Sequence, residues 1–184
     1  MAVGTPRGRR ARCRGDHGAA AVEFALLFPL FLVIVFGIID MGFAFNQKIN
    51  LTQAAREASR YGATLSLKSS APSGSGTVDT WLPKVVNVAM SAGGDDLTAS
   101  RAGRYICVAY VDPTATPAVA RKAELTGSAA AAVLSSGTCT SDGRDDARVQ
   151  VVVRANTVLD FVFLGGRITI GSTSTTHFEA VPST

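Results

Sequence analysis

Residues 18–39 read GAAAVEFALLFPLFLVIVFGII, an apolar run in which Glu23, five residues after Gly18, is the single charged side chain. As an α-helix, Ala19 to Ile39 extends about 32 Å, close to the hydrocarbon thickness of a bilayer. Insertion of a carboxylate within such a helix costs about 2.5 to 3.5 kcal/mol on insertion scales, so we expect Glu23 to have a charged partner or a functional role. The run therefore predicts one membrane-spanning helix with a functional acid near its start.

The excess positive charge of the chain lies before this run. Residues 1–18 contain five arginines and one aspartate, a net charge of +4 that equals the net charge of all 184 residues. The remaining residues carry 13 basic and 13 acidic side chains. By the positive-inside rule, the basic head is cytoplasmic and everything after Ile39 lies on the other side. Because the excess charge is confined to this head, the composition argues against a nucleic-acid partner.

Further residues narrow the interpretation of the apolar run. Phe24 follows the glutamate, Pro29 lies within the run, Phe36–Asp40 end it, and a second helical stretch covers Gln53–Tyr61. Together with the arginine-rich head and the spacing of Gly18 and Glu23, these features resemble the TadE-like family, minor pseudopilins of the tight-adherence (Flp) pilus apparatus. The resemblance covers Gly18 to Tyr61, roughly a quarter of the chain.

The resemblance implies proteolytic processing and a role in pilus assembly. In prepilins of this kind a membrane-embedded aspartyl peptidase cuts after the glycine, here between Gly18 and Ala19, and Glu23 becomes the fifth residue of the mature chain. By resemblance to type IV pilins, the freed amine of Ala19 and the Glu23 carboxylate form a charge pair between neighbouring subunits, which offsets the desolvation of the acid. The implied partners are the membrane, a prepilin peptidase, other pilins or pseudopilins, and the assembly machinery.

Four segments are expected along the chain: a basic leader (1–18), a transmembrane helix with an extracytoplasmic extension (19–62), a Ser/Gly-rich linker (63–77), and an extracytoplasmic domain (78–184). Pro29 removes one backbone donor inside the helix and predicts a modest kink. Gly62 is expected to cap the helix at its C-terminal end. The small residues of its second half suit packing on the chain's own domain or on a neighbouring helix.

The segment 78–184 predicts one α+β domain with a short antiparallel sheet. A helix is expected over Val78–Ala92, ended by Gly93 and Gly94, with an apolar face that includes Trp81. Strands are expected over Tyr105–Val111 and Arg148–Arg154. The second strand alternates valines with polar side chains, which is typical of a half-buried strand.

Two stretches of the domain have less specific patterns. Pro117–Leu134 is rich in alanine, and this composition favours a helix. Phe161–Leu164 and Arg167–Ile170, separated by Gly165 and Gly166, predict a tight hairpin. The Phe-rich patch can instead lie against the membrane or a partner.

Three cysteines occur in the chain. Cys13 lies in the leader and is interpreted as an incidental thiol. Cys107 lies in an expected strand and Cys139 in a polar loop, and in an oxidising compartment these two are able to pair. Such a bridge closes a loop of about 33 residues and stabilises the fold by about 3.5 to 4 kcal/mol in the chain-entropy model. The alternative is a buried Cys107 and an unrelated, exposed Cys139.

The sequence gives little support for catalysis, a cofactor or a metal. His17 lies in the leader and His177 in a Ser/Thr-rich segment, so neither has an evident partner. No nucleophile elbow, phosphate-binding loop or zinc-spaced set of Cys and His occurs. Asp142, Asp145 and Asp146 surround a glycine but miss the spacing of an EF-hand loop, and we interpret them as a solvated acidic turn.

Two other interpretations of the N-terminus remain. A secretory signal peptide has a shorter apolar core and a small-x-small cleavage site, and Gly42-Phe43-Ala44 fits such a site. An unprocessed single-pass protein that presents a ligand-binding domain outside the cell is the second alternative, with Glu23 reaching toward the inner face. The processed pseudopilin, held in the cell membrane with a cytoplasmic N-terminus, is the hypothesis that accounts for both Gly18 and Glu23.

Overall fold

A single helix of 48 residues, α1, runs from His17 to Thr64. The computed structural model describes residues 17–64, 76–98, 103–114, 118–161 and 164–177, so most of the expected leader and linker lie outside the described residues. Pro29 lies inside α1 without ending it. The helix also continues through Gly62 to Thr64, so the expected C-cap at Gly62 is wrong. Gly62 is instead a contact position, where an added Cβ would lie 3.0 Å from the indole of Trp81.

The two halves of α1 differ in their surroundings. Residues 18–43 are exposed or only partly covered, although most of them are apolar. From Ala44 onward one face is buried in the domain, and it consists of Ala44, Gln47, Leu51, Ala54, Ala55, Ala58 and Ser59. The spacing of three and four residues is that of one helix face, and the alanines let the backbone approach the sheet closely. The expectation that this half of the helix packs on the chain's own domain is confirmed.

The second helix, α2, spans Gly76–Gly93, close to the expected Val78–Ala92. Its buried side chains follow helical spacing: Trp81, Leu82, Val85, Val86 and Ala89. A 3-10 turn, Gly94–Leu97, follows directly. Gly94 has a φ of 52°, a left-handed conformation that a side chain disfavours, and this is why the paired glycines end the helix.

Five strands of the described part of the chain form one antiparallel sheet: β1 (Tyr105–Asp112), β2 (Val119–Thr126), β3 (Val133–Ser136), β4 (Arg148–Phe161) and β5 (Leu164–His177). Their spatial order is β3-β2-β1-β4-β5. The strand expected over Tyr105–Val111 is confirmed as β1, and the strand expected from Arg148 is confirmed as the start of β4. The α+β class with a long N-terminal helix and a small antiparallel sheet is confirmed.

Both helices pack on the same face of this sheet, α1 over β4 and β5 and α2 over β1 and β2. The core between the layers is built from Leu51, Leu82 and Val85 of the helices, packed with Val108 and Val151 of the sheet. All five are 0% exposed. The docked half of α1 therefore belongs to the domain core, and the exposed half is the same helix continued outward.

The alanine-rich stretch Pro117–Leu134 is not helical where it is described. It forms β2 and the start of β3 instead. Ala123, opposite Val108 in β1, is fully buried under the helices, where its small side chain leaves room for them. Local helix propensity is outweighed here by pairing with β1, as happens often for weak propensities.

The hairpin expected around Phe161 exists, but its turn lies elsewhere. β4 ends at Phe161 and β5 begins at Leu164, which is the pairing partner of Phe161. Gly165 and Gly166 lie within β5, so the turn predicted at these two glycines is wrong. The two strands pair along 14 positions, and this long ladder sets the register more strongly than a diglycine signal does.

Candidate functional site

The expected processing position lies in the first turn of α1. Gly18 and Ala19 are exposed, and a Cβ built on Gly18 meets no atom within 4 Å. The peptide bond between them is thus not covered by the part of the domain that the structure describes.

Glu23 lies one helical turn further along the same face as Ala19, because residues four apart are neighbours on a helix. Its side chain is exposed and is flanked by exposed apolar residues such as Val22 and Phe24. Within the described residues Glu23 makes no hydrogen bond and no ion pair. A partner for this carboxylate must therefore come from outside the described part of the chain.

The apolar surface around Glu23 is extensive. Large exposed side chains follow it on all sides of the helix, among them Leu26, Leu27, Leu30, Phe31, Ile34, Ile38 and Ile39. Phe24 and Phe28, four residues apart, place their ring centroids 5.4 Å from each other. A helix that is apolar on all sides is normally buried in a protein core or in a lipid bilayer. The helix α1 is long and apolar enough to span a membrane.

Comparison with known protein families gives a match over this helix. A family model described as TadE-like protein matches residues 18–60. These residues are similar to the TadE-like family. The match begins at Gly18 and ends next to Tyr61, so the resemblance seen in the sequence is confirmed over these residues. No curated protein and no solved structure matches the chain.

The TadE-like segment, residues 18–60, is fixed to the domain by polar contacts at its docked half. Gln47 and Asn50 donate to the two carboxylate oxygens of Asp96 at 3.1 and 3.2 Å. Lys48 donates to the carbonyl of Gly171, and the Ser59 hydroxyl lies 2.8 Å from that of Ser174. Sequence reasoning missed these anchors, since Asp96 follows the helix-ending glycines without any signal for its partner.

The cysteine pair expected from the sequence is a disulfide in the structure. Cys107 of β1 bonds to Cys139, with 5.8 Å between their Cα atoms. The bond attaches residues 137–147 to the sheet face that the helices leave open. We call this segment the strap.

The strap satisfies two polar side chains that the sheet buries. Gln150, 0% exposed, accepts from the amide of Cys139 and donates to the carbonyl of Thr140. Arg148 makes a double hydrogen bond to Asp142, and Gln150 also donates to this carboxylate. Burial acts to raise the pKa of Asp142, but these hydrogen bonds outweigh burial and leave its pKa below the usual value. β4 is consequently buried on both faces over this stretch, and the expectation of a half-buried strand is wrong here.

The acidic cluster and His177 also differ from expectation. Asp142 is bonded to Arg148, and Asp146 lies 2.5 Å from Nδ1 of His177, so only Asp145 fits the solvated turn. His177 has a partner that its sequence context did not reveal, because the pair joins the strap to the end of β5. Among the described residues no group of three or more His, Cys, Asp or Glu side chains is arranged to hold a metal.

Proposed function

We propose that this chain is a TadE-like pseudopilin of a tight-adherence pilus. In this proposal it crosses the cytoplasmic membrane once through residues 19–39, with its N-terminus inside and its domain outside. A prepilin peptidase cuts between Gly18 and Ala19. The processed subunit then takes part in pilus assembly and is a substrate, with no enzymatic activity of its own.

The observation that carries the proposal is the position of Glu23. It is an exposed acid within an exposed apolar helix, and its partner is not found in the described part of the chain. Removal of the leader creates a new amine at Ala19, four residues away on the same face. An amine on a neighbouring subunit supplies the opposite charge that an acid at this depth requires.

The division of roles between Gly18 and Glu23 provides the test. The chain is co-expressed with a prepilin peptidase, and its intact mass is measured. We expect Gly18→Arg to abolish cleavage, since the peptidase needs a small residue there. The helix itself does not hinder an added side chain at this position. Gly15→Arg is the matched control within the same basic head, and it is expected to be cleaved as the wild-type chain is.

Glu23→Gln is expected to be cleaved normally and to be lost from the assembled apparatus, measured as its recovery with the sheared pilus fraction or the membrane assembly complex. Glu57→Gln, an exposed acid on the docked half of the same helix, is the control and retains incorporation. Equal loss of cleavage in Gly18→Arg and Glu23→Gln contradicts the division of roles. A wild-type chain that keeps its arginine head supports the unprocessed single-pass alternative.

A further inference from the structure

The hairpin of β4 and β5 runs along α1 toward its exposed half. Three contacts fix this direction: Gly62 lies against Val149, Ser59 against Ser174, and Lys48 against Gly171. Val149 and Ser174 lie near the end of the hairpin that joins the sheet, whereas Gly171 lies toward its free end. Moving along α1 toward Glu23 therefore means moving toward the free end of the hairpin.

The hairpin is also long enough to reach the boundary of the apolar run. β1 pairs with β4 only as far as Arg154, and beyond this point β4 and β5 continue as a two-stranded ribbon. From Val149 to Phe161 the strand extends about 40 Å at about 3.3 Å per residue. From Gly62 to Asp40 the helix extends about 33 Å at about 1.5 Å per residue. The free end of the hairpin therefore reaches the level of Asp40 if the angle between the strand and the helix axis is no more than about 35°.

Burial along α1 agrees with this length. Oδ2 of Asp40 is inaccessible to water although Ile39 and Met41, its neighbours in the chain, are exposed. One face of α1 is therefore still covered at Asp40, which is the residue that ends the apolar run. This burial agrees with a ribbon that reaches the level of the outer end of the run.

Among the described residues, each face of the ribbon end carries one exposed apolar side chain. Val158 is 60% exposed on the face turned away from the helices, and Ile168 is 39% exposed on the opposite face. Arg167, paired with Val158, is exposed as well. A two-stranded ribbon that exposes apolar side chains on both faces is poorly suited to water, whereas a basic side chain beside them suits a phosphate headgroup.

We propose that the free end of the β4–β5 hairpin rests in the outer leaflet of the membrane, at the boundary of headgroups and acyl chains. Val158 and Ile168 contact the acyl chains, and Arg167 contacts lipid phosphates. Together with α1 the hairpin gives the domain a second point of support on the lipid surface and fixes its orientation. This inference depends on the proposed crossing of the membrane by α1, along which the hairpin runs.

Tryptophan quenching by lipid tests the inference on the full-length chain in phosphatidylcholine vesicles. Part of the lipid is brominated near the headgroup end of its acyl chains. The chain has one tryptophan, Trp81, which is 5% exposed in the core and supplies the baseline. Added tryptophans are placed on the hairpin end (Val158→Trp, Ile168→Trp) and, as matched control, on the far edge strand (Val133→Trp). Val133 is a strand residue of similar exposure, 68%. Ile34→Trp reports on α1 itself.

We expect the fluorescence added by Val158→Trp and Ile168→Trp to be quenched at least twofold more than that added by Val133→Trp. If Ile34→Trp is quenched but the two hairpin variants are quenched no more than Val133→Trp, the inference is wrong and the proposal of a membrane-spanning helix is retained. An unquenched Ile34→Trp overturns both. Retention of the Cys107–Cys139 disulfide in each variant is the check that the variant has folded. Val158 is the more exposed of the two hairpin positions, so its substitution by tryptophan disturbs the packing less.

Discussion

At the scale of single residues, the two tyrosines of β1 show how the sheet changes side-chain chemistry. Tyr105 donates to Glu124 at 2.8 Å, and burial, followed by this hydrogen bond, raises its pKa to about 12. Burial and then the charge of Asp112 raise the pKa of Tyr110 to about 12 as well. The hydrogen bond from Tyr105 lowers the pKa of Glu124 in turn. Both environments therefore favour the neutral phenol.

This arrangement predicts a loss of stability at alkaline pH. Because the folded pKa of both phenols exceeds the unfolded value of 10.0, their contribution is complete below pH 10 and is lost as the pH rises toward 12. A tyrosinate absorbance titration is expected to show two of the three tyrosines ionising near pH 12. Tyr105→Phe and Tyr110→Phe should each remove one of these two. Ionisation of both phenols near pH 10 in the folded chain contradicts the contacts described here.

At the scale of elements, α2 and β1 were predictable because each carries its own local signal. α2 has helical spacing of apolar side chains and two glycines that stop it, and β1 is an apolar segment ended by Asp112 and a proline. The strand β2 was not predictable in this way. Its alanines favour a helix locally, and only pairing with β1 under the helices makes it a strand, a long-range effect that its own sequence does not contain.

The burial of the second face of β4 was not predicted, and the reason is related. Gln150 and Arg148 have the polar character of solvent-facing positions, and they are buried only because the strap folds over them. The possible pairing of Cys107 with Cys139 was the single sequence signal that the strap crosses the sheet. Similarly, Gly18 and Glu23 were singled out by a local spacing, whereas the anchor of α1 at Asp96 joins residues far apart in the chain.

Gly93, at the end of α2, provides a test of the packing between α2 and the 3-10 turn that follows it. A Cβ on Gly93 would lie 2.4 Å from Cδ1 and 2.7 Å from Cγ of Leu97, which is fully buried. Gly93→Ala is therefore expected to lower the free energy of unfolding by about 1 to 3 kcal/mol through overpacking. Denaturant unfolding in detergent, followed by Trp81 fluorescence, measures this loss.

Gly42→Ala is the control for that measurement, because an added Cβ there meets nothing within 4 Å and the position is helical. It should leave stability unchanged or raise it by up to about 1 kcal/mol. A Gly93→Ala variant as stable as Gly42→Ala means that Leu97 does not pack against Gly93 as described.

The strap provides a second test at this scale. Replacing both cysteines, Cys107→Ala with Cys139→Ala, is expected to lower the free energy of unfolding by about 3.5 to 4 kcal/mol in the chain-entropy model. Reductant should lower the melting temperature of the wild-type chain and leave that of the double variant unchanged. Cys13→Ser is the control and is expected to behave as the wild-type chain does. A melting temperature of the wild-type chain that is insensitive to reductant contradicts a stabilising Cys107–Cys139 bridge.

At the scale of the whole molecule, α1 joins two environments within one continuous helix. Its second half is part of the domain core, fixed at Asp96 and along β5. Its first half presents Glu23 and an apolar surface to whatever surrounds it. The TadE-like segment, residues 18–60, spans both halves.

The N-terminal residue of the chain in native envelopes tests this account most directly. The chain is purified from membranes of cells that contain their own prepilin peptidase, and its N-terminal peptide is identified by mass spectrometry. The account predicts a mature chain that begins at Ala19, with Glu23 at its fifth position. A chain that still begins at Met1, or one trimmed after Ala44 as a secretory signal would be, contradicts it.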